Sequence, residues 1–306
     1  MHLKEQGKMY EVTIDTERCK KDGLCAMTCP VAVIQQDEKA TVPKISDEHM
    51  EHCIACGQCM AICPQSAIRH SEFPATTIWA IQFEQMPTTE QVMALLKTRR
   101  SIRAFRDKPL AKEIIERIID GARFAPSGHN SQSTEFLVVQ DKAVLNQVSA
   151  MVIEYLQFEI RRFANPLFRT LALLADRDLA KSGLHEIPGF KRMIQMFESG
   201  AAPILNGAPV LLAFHARRTV GFADVNAQLA LQNASLVAHS LGIGHFYTGW
   251  VVSPGRAPMA RAWNRSIPNL IGIPPGNELY GALALGYPIP KFKNMIERKP
   301  PQIRWV

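Results

Sequence analysis

All seven cysteines of this 306-residue chain fall between positions 19 and 63. Four of them form the series Cys53-x2-Cys56-x2-Cys59-x3-Cys63, followed at once by Pro64. Soft thiolates packed this closely suit iron. The first three wrap one face of an iron–sulfur cube, and the fourth points away toward a second cluster. Structural zinc generally takes paired Cys-x2-Cys elements instead. An odd, clustered set of cysteines in a chain without an apolar leader reads as metal ligands, not as a disulfide framework.

An upstream series repeats the pattern with one change: Cys19-x2-Asp22-x2-Cys25-x3-Cys29, then Pro30. The surrounding text is parallel, CAMTCPVAVI at 25–34 and CMAICPQSAI at 59–68. The two series are an internal repeat, and residues 10–70 resemble bacterial two-cluster ferredoxins, a βαβ unit used twice. The crossed wiring gives Cys29, Cys53, Cys56 and Cys59 to one cluster. The other receives Cys19, Cys25 and Cys63, with Asp22 as its fourth candidate. Three readings of Asp22 stand open: a carboxylate ligand on a 4Fe–4S cluster, a 3Fe–4S cluster lacking that iron, or an ordinary turn residue before Gly23 with hydroxide on the fourth iron.

A second set of residues could hold an anion. Arg99, Arg100, Ser101 and Arg103 follow a helix that starts at Thr88 or Thr89 and carries Val92, Leu95 and Leu96 on one face. Alternate residues of an extended chain share a side, so two guanidiniums and a hydroxyl converge, which suits a phosphate or the edge of a flavin ring.

The elements that position them read as follows. Residues 71–88 carry two prolines and no clear period, a linker. Lys112–Arg123 has helical apolar spacing and breaks at Phe124-Ala125-Pro126-Ser127-Gly128-His129-Asn130. Strands are predicted at Glu135–Val139, Pro209–Phe214 and Leu279–Leu285, and a long Ala-rich helix at Asp224–Leu241 that ends at Gly242-Ile243-Gly244 and leads to His245–Thr248. Residues 150–200 are helical in pattern and match nothing nameable.

In this order, RRSxRxF, APSGxNxQ, the Ala-rich helix ending LGIG, LGYP and a basic tail, the chain resembles the FMN-dependent nitroreductase family over residues 90–306 apart from the middle. Ser133-Thr134 departs from the usual continuation after Gln132. The resemblance implies an α+β fold with a mixed sheet, and an intertwined homodimer with FMN at its interface. Arg99, Arg100, Ser101 and Arg103 would hold FMN from one subunit, and Pro126, Ser127, Gly128 and Asn130 would approach it from the other. Gly249 and Trp250 fall where a backbone N–H is directed at the flavin N5. Arg298, with Lys293 as a second cation, falls where the tail meets the phosphate. The resemblance also has residues 150–200 cover the substrate face of the flavin. His129 stands near the flavin loop; His215 and His239 read as structural.

The whole is therefore read as a ferredoxin-like iron–sulfur domain at 1–74, a linker at 75–88 and an FMN domain at 89–306. The implied function is reduction of a small acceptor (nitro, quinone or enoate), with electrons from an external ferredoxin-like donor entering through the clusters, or with direct reduction by NAD(P)H. The alternative is a relay passing electrons to a protein partner. No side-chain acid stands out as obligatory for the reaction, and no serine triad, HExxH or GxGxxG fingerprint after a strand is present,. Residues 1–74 hold 8 Lys and Arg against 11 Asp and Glu, and the remainder 27 against 17. No basic run suggests nucleic acid. No apolar run suits a membrane, and the default location is the cytoplasm.

Overall fold

The computed structural model describes residues 10–256 and 266–306. The first nine residues, on which part of the leaderless reading rests, lie outside the described residues. The chain divides into two units. The first is Met1–Pro87 with Ser127–Gln132, and the second Thr88–Pro126 with Ser133–Val306.

The first unit is built from very short elements. Strands β1 (Val12–Ile14), β2 (Ile34–Gln35), β3 (Lys44–Ile45) and β4 (Ile68–His70) pair antiparallel, β1 with β4 and β2 with β3. Helices α1 (Leu24–Thr28), α2 (Asp47–Met50) and α3 (Gln58–Ile62) are about one turn each. The buried apolar core is little more than Val12, Val33, Ile34 and Ile68 around Cys25. A core so small is marginal without a cofactor.

The repeat is visible in the backbone. Left-handed φ values recur in pairs 34 positions apart: Lys21 with Ala55, Gly23 with Gly57, Ala32 with Ser66. Gly23 and Gly57 cap α1 and α3 at φ 73° and 69°. Glycine takes that conformation without steric cost. A Cβ on Gly23 would also come within 2.2 Å of Gln36 Oε1.

The second unit opens with α4 (Thr89–Thr98), started by a reciprocal capping box between Thr88 and Gln91,. None of its residues is buried. Helix α5 (Lys112–Arg123) buries Ile115, Ile118 and Ala122, the stripe that its spacing predicts. Strand β5 (Glu135–Val139) is followed by α6 (Lys142–Ala164), α7 (Pro166–Ala175) and α8 (Arg177–Glu198). Then come β6 (Val210–Arg217), α9 (Ala223–Ser240), β7 (Gly244–Tyr247), α10 (Gly249–Arg256), α11 (Ile267–Ile271) and β8 (Asn277–Gly286).

The sheet order is β5-β6-β8-β7. Both its faces are covered. Leu211 and Ala213 of β6 face a core shared with α6, α8, α10 and α11. Val210, Leu212, Phe214 and Ala216 face α5 and α9. Alternate side chains leave a strand on opposite sides, so a strand buried on both reads as a continuous apolar run. The alanines of α9 at 227, 230, 234 and 238 let that helix lie close against the sheet.

The α+β class holds, but the mixed sheet needs correction. All three pairings are antiparallel among the described residues. Strands β6 and β7 do run in the same direction on either side of α9, but β8 is inserted between them. No parallel pair is therefore hydrogen-bonded.

Candidate functional site

Each cysteine series ends in a one-turn helix carrying a cysteine at two levels. Cys25 lies within α1 and Cys29 at its C-cap; Cys59 and Cys63 stand likewise on α3. Two cavities result. The first is lined by Cys19, Asp22, Cys25 and Cys63, with Ile14 and Ile68 behind them. The second is lined by Cys29, Cys53, Cys56 and Cys59, with Val12, Val33 and His70. The structure thus gathers the eight predicted metal-site side chains into two groups of four, each taking three from one series and one from the other.

Among the described residues no three His, Cys, Asp or Glu side chains converge tightly enough to hold a single ion. Zinc at about 2.3 Å from each thiolate would need sulfurs roughly 4 Å apart. Burial raises the thiol pKa of Cys25 and Cys53 and pushes Cys59 up to about 11. Coordination to a cation reverses that, because a ligating thiol is deprotonated outright. Backbone donors for charged sulfur are present: Lys21 N lies 3.4 Å from Cys19 Sγ, and Ala67 N 3.2 Å from Cys63 Sγ. Soft donors, apolar walls and aimed N–H groups fit iron–sulfur clusters.

Asp22 is the counterpart of Cys56. Its Oδ1 accepts a hydrogen bond from Leu24 N at 3.1 Å, a turn contact opening α1,. The side chain also lines the first cavity. Turn and ligand readings are thus compatible, one oxygen serving each.

Sequence reasoning missed His70. It is buried, and its ring lies between Tyr10 and Phe73, with centroids 5.1 and 5.2 Å away. Its Nε2 is 3.4 Å from Cys53 Sγ, and its Nδ1 accepts from Glu72 N at 3.1 Å. Carrying the repeat to position 70 would have aligned it with Gln36 and exposed the difference. Gln36 Nε2 donates to the carbonyls of Lys21 (3.1 Å) and Thr41 (2.7 Å), not to a sulfur.

Ser127–Gln132 belongs to the first unit. His129, Asn130 and Gln132 there have φ of 54°, 54° and 44°. Asn130 Nδ2 donates to Ala55 O (2.7 Å) and Ile54 O (3.3 Å), and Gln132 N to Ser127 Oγ (3.0 Å). The side-chain amide that sequence assigned to a flavin grips the turn between Cys53 and Cys56.

In the second unit a cavity of about 440 Å³ is lined by Arg103, Asn206, Phe246, Gly249 and Trp250, with Met193 and Met196 of α8 beside them. Residues after α4 run extended: Ile102 is buried, its N–H bonded to His245 O at 2.9 Å, and Ser101 and Arg103 are exposed. Arg103 lies 5.5 Å from the Phe246 ring centroid. Helix α10 begins at Gly249, so the N–H groups of Gly249 and Trp250 lie in a first turn, where a helix has no internal acceptors,.

Of the predicted flavin contacts, Arg103, Gly249 and Trp250 are brought to this cavity. Arg99, Arg100, Ser101, Pro126, Lys293 and Arg298 are not among its lining residues. Arg100 Nη2 instead donates to Ile296 O at 3.4 Å, and Lys293 and Arg298 are exposed on the irregular tail after β8. His215 and His239 take structural partners, Asn277 Nδ2 and Thr98 Oγ1, each at 2.9 Å.

Comparison with known proteins matches both units. The nitroreductase family model covers residues 96–287, and a 4Fe-4S dicluster domain model covers residues 11–64. FMN reductase (NAD(P)H) of Bacillus subtilis is 30% identical over 154 residues, 50% of this chain and 52% of that protein. Over 63 residues, 19% of this chain, there is 40% identity to a protein named Ferredoxin 7Fe from Hydrogenibacillus schlegelii, covering 70% of it. A crystal structure of an FMN-bound nitroreductase from Desulfitobacterium hafniense aligns with 70% of this chain and 97% of its own, at TM-score 0.51 and 22% identity.

Proposed function

Because the chain belongs to the nitroreductase family and carries a 4Fe-4S dicluster domain ahead of it, we propose that it is an FMN- and iron–sulfur-dependent oxidoreductase reducing a small acceptor of nitro, quinone or enoate type, with electrons entering through the clusters. The observation that carries this reading is the division of seven cysteines and Asp22 between two cavities, in the same chain as a cavity bearing Arg103 and Trp250.

When bound, the clusters supply one-electron uptake and the flavin supplies two-electron reduction of the acceptor. Cys29, Cys53, Cys56 and Cys59 hold a 4Fe–4S cluster. Cys19, Cys25 and Cys63 hold the other with Asp22, or hold a 3Fe–4S cluster; the relative named for seven irons supports the latter. Arg99, Ser101, Arg103 and Arg298 hold the flavin phosphate by charge-assisted bonds, and the first turn of α10 offers N–H groups to the ring. The iron–sulfur module spans 1–74 and the flavin domain 89–306, joined by 75–88.

A homodimer completes the flavin site, with Ser127, Gly128 and Asn130 coming from the second copy. Its support is apolar surface with no cover in one chain: Val92, Met93 and Leu96 on α4, and Phe292, Ile296 and Trp305 on the tail,. A concave cavity flanked by Met193 and Met196 favours a small-molecule acceptor over a relay to a protein. The donor is an external ferredoxin-like protein, with NAD(P)H, the reductant for which the Bacillus relative is named, as the alternative. Among the described residues no helix is long and apolar enough to cross a membrane.

The test is anaerobic turnover of iron- and FMN-loaded protein with reduced ferredoxin or NAD(P)H and a panel of nitro compounds, quinones and enoates. A variant with Cys53 and Cys56 changed to Ser should keep FMN and lose ferredoxin-driven turnover. Wild-type rates in that variant would refute entry through the clusters.

A further inference from the structure

Among the described residues the side-chain hydrogen bonding to the cysteine sulfurs of the two cavities is not symmetric, and the difference falls on Cys53. Positions 34 apart occupy equivalent places in the two halves, so His70 and Gln36 are counterparts. Gln36 spends its amide on the carbonyls of Lys21 and Thr41. His70 turns a ring nitrogen to the sulfur of Cys53.

Which nitrogen carries the hydrogen follows from the network. Glu72 N–H donates to Nδ1, so Nδ1 is the acceptor and the neutral ring's single hydrogen is on Nε2,. That N–H faces Cys53 Sγ at 3.4 Å, from a ring that is 5% exposed and held between two aromatic neighbours. A buried donor fixed in this way cannot exchange its partner for water at no cost.

We infer that His70 is a positioning residue that donates a hydrogen bond from Nε2 to Cys53 Sγ and so raises the reduction potential of the cluster on Cys29, Cys53, Cys56 and Cys59 above the value it would have without that bond. This rests on the cluster assignment made above. Reduction adds one electron from the donor and builds negative charge on the ligating sulfurs. A donated N–H stabilises that charge more in the reduced state than in the oxidised one, and hydrogen bonds to sulfur are among the protein's levers on potential. The hydrogen stays on Nε2, and no proton is transferred.

The experiment is an anaerobic dithionite titration of the full-length, cluster-loaded protein followed by EPR, in wild type and His70→Phe. Phenylalanine keeps a ring between Tyr10 and Phe73 and removes the donor. The cluster of the Cys53 series should become harder to reduce by on the order of tenfold, about 59 mV for a one-electron couple, while the first cluster's midpoint stays in place. As a readout independent of the variant's folding, wild type grown on isotopically labelled histidine should show a histidine nitrogen coupling on the reduced second cluster. Unmoved midpoints, or no such coupling, would overturn the role of His70 alone. A wild type with no second-cluster signal would overturn the cluster assignment and the inference with it.

Discussion

Replacing Asn130 by alanine tests a loop held by hydrogen bonds to residues 75 and 76 positions away. The side-chain amide donates to Ala55 O at 2.7 Å and Ile54 O at 3.3 Å. Losing the shorter bond costs about 1 kcal/mol, and a half-buried carbonyl left without its donor adds on the order of 1 kcal/mol. The residue also sits at φ 54°, where alanine is disfavoured by roughly 1 kcal/mol. Together these weaken the closed loop by about 2–3 kcal/mol, or roughly 30- to 150-fold in its opening equilibrium. Hydrogen–deuterium exchange should show that acceleration in peptides covering 127–132 and 53–57, with no change in β6 or β8. Asn130→Gly, which takes the left-handed conformation freely, should show only the hydrogen-bond part. Wild-type exchange in both peptides of Asn130→Ala would refute the reasoning.

Asp22→Cys should raise iron content toward eight per chain and shift the first cluster's potential; unchanged EPR would leave Asp22 a turn residue. Arg103→Ala should weaken FMN retention by about 2–3 kcal/mol if its bond to the phosphate is charge-assisted, read by equilibrium dialysis; full occupancy would count against the assignment. Burial lowers the His245 pKa to about 4 from its ordinary 6.5. The unfolded chain then binds a proton that the folded chain refuses, so this contribution is full above pH 6.5 and is lost as pH falls toward 4. The loss is on the order of 3 kcal/mol, and His245→Gln should flatten the thermal midpoint across that window.

Much of this molecule was legible because its signals are local. Helix α5 and strand β5 fall where periodicity put them, Lys112–Arg123 and Glu135–Val139. The helical reading of 150–200 became α6, α7 and α8, divided at Asn165 and Asp176, which both cap the helix that follows. Strand β6 runs three residues past its expected end at Phe214, because Ala216 is still buried and pairing continues to Arg217. Gly249-Trp250 proved to be the start of a helix. The grip of Asn130 on Ala55 and the reach of His70 to Cys53 span 75 and 17 positions. Contacts of that separation leave no period for a sequence reading to find.

The placement of one cysteine inside and one at the end of each short helix has a consequence for electron tunnelling. Cys25 and Cys29, like Cys59 and Cys63, are four residues apart, about 6 Å of axial rise. A single helical turn, used twice, is therefore the ruler between the two ligand sets. Tunnelling rates fall steeply with separation, and most protein linkers fluctuate in length. With clusters bound as proposed, the gap could not widen without unwinding a helix and pulling a thiolate from each site at once. With two clusters bound as proposed, the rate of exchange between them would be protected by the same bonds that retain them, and an insertion within 24–29 or 58–63 would disturb both at once.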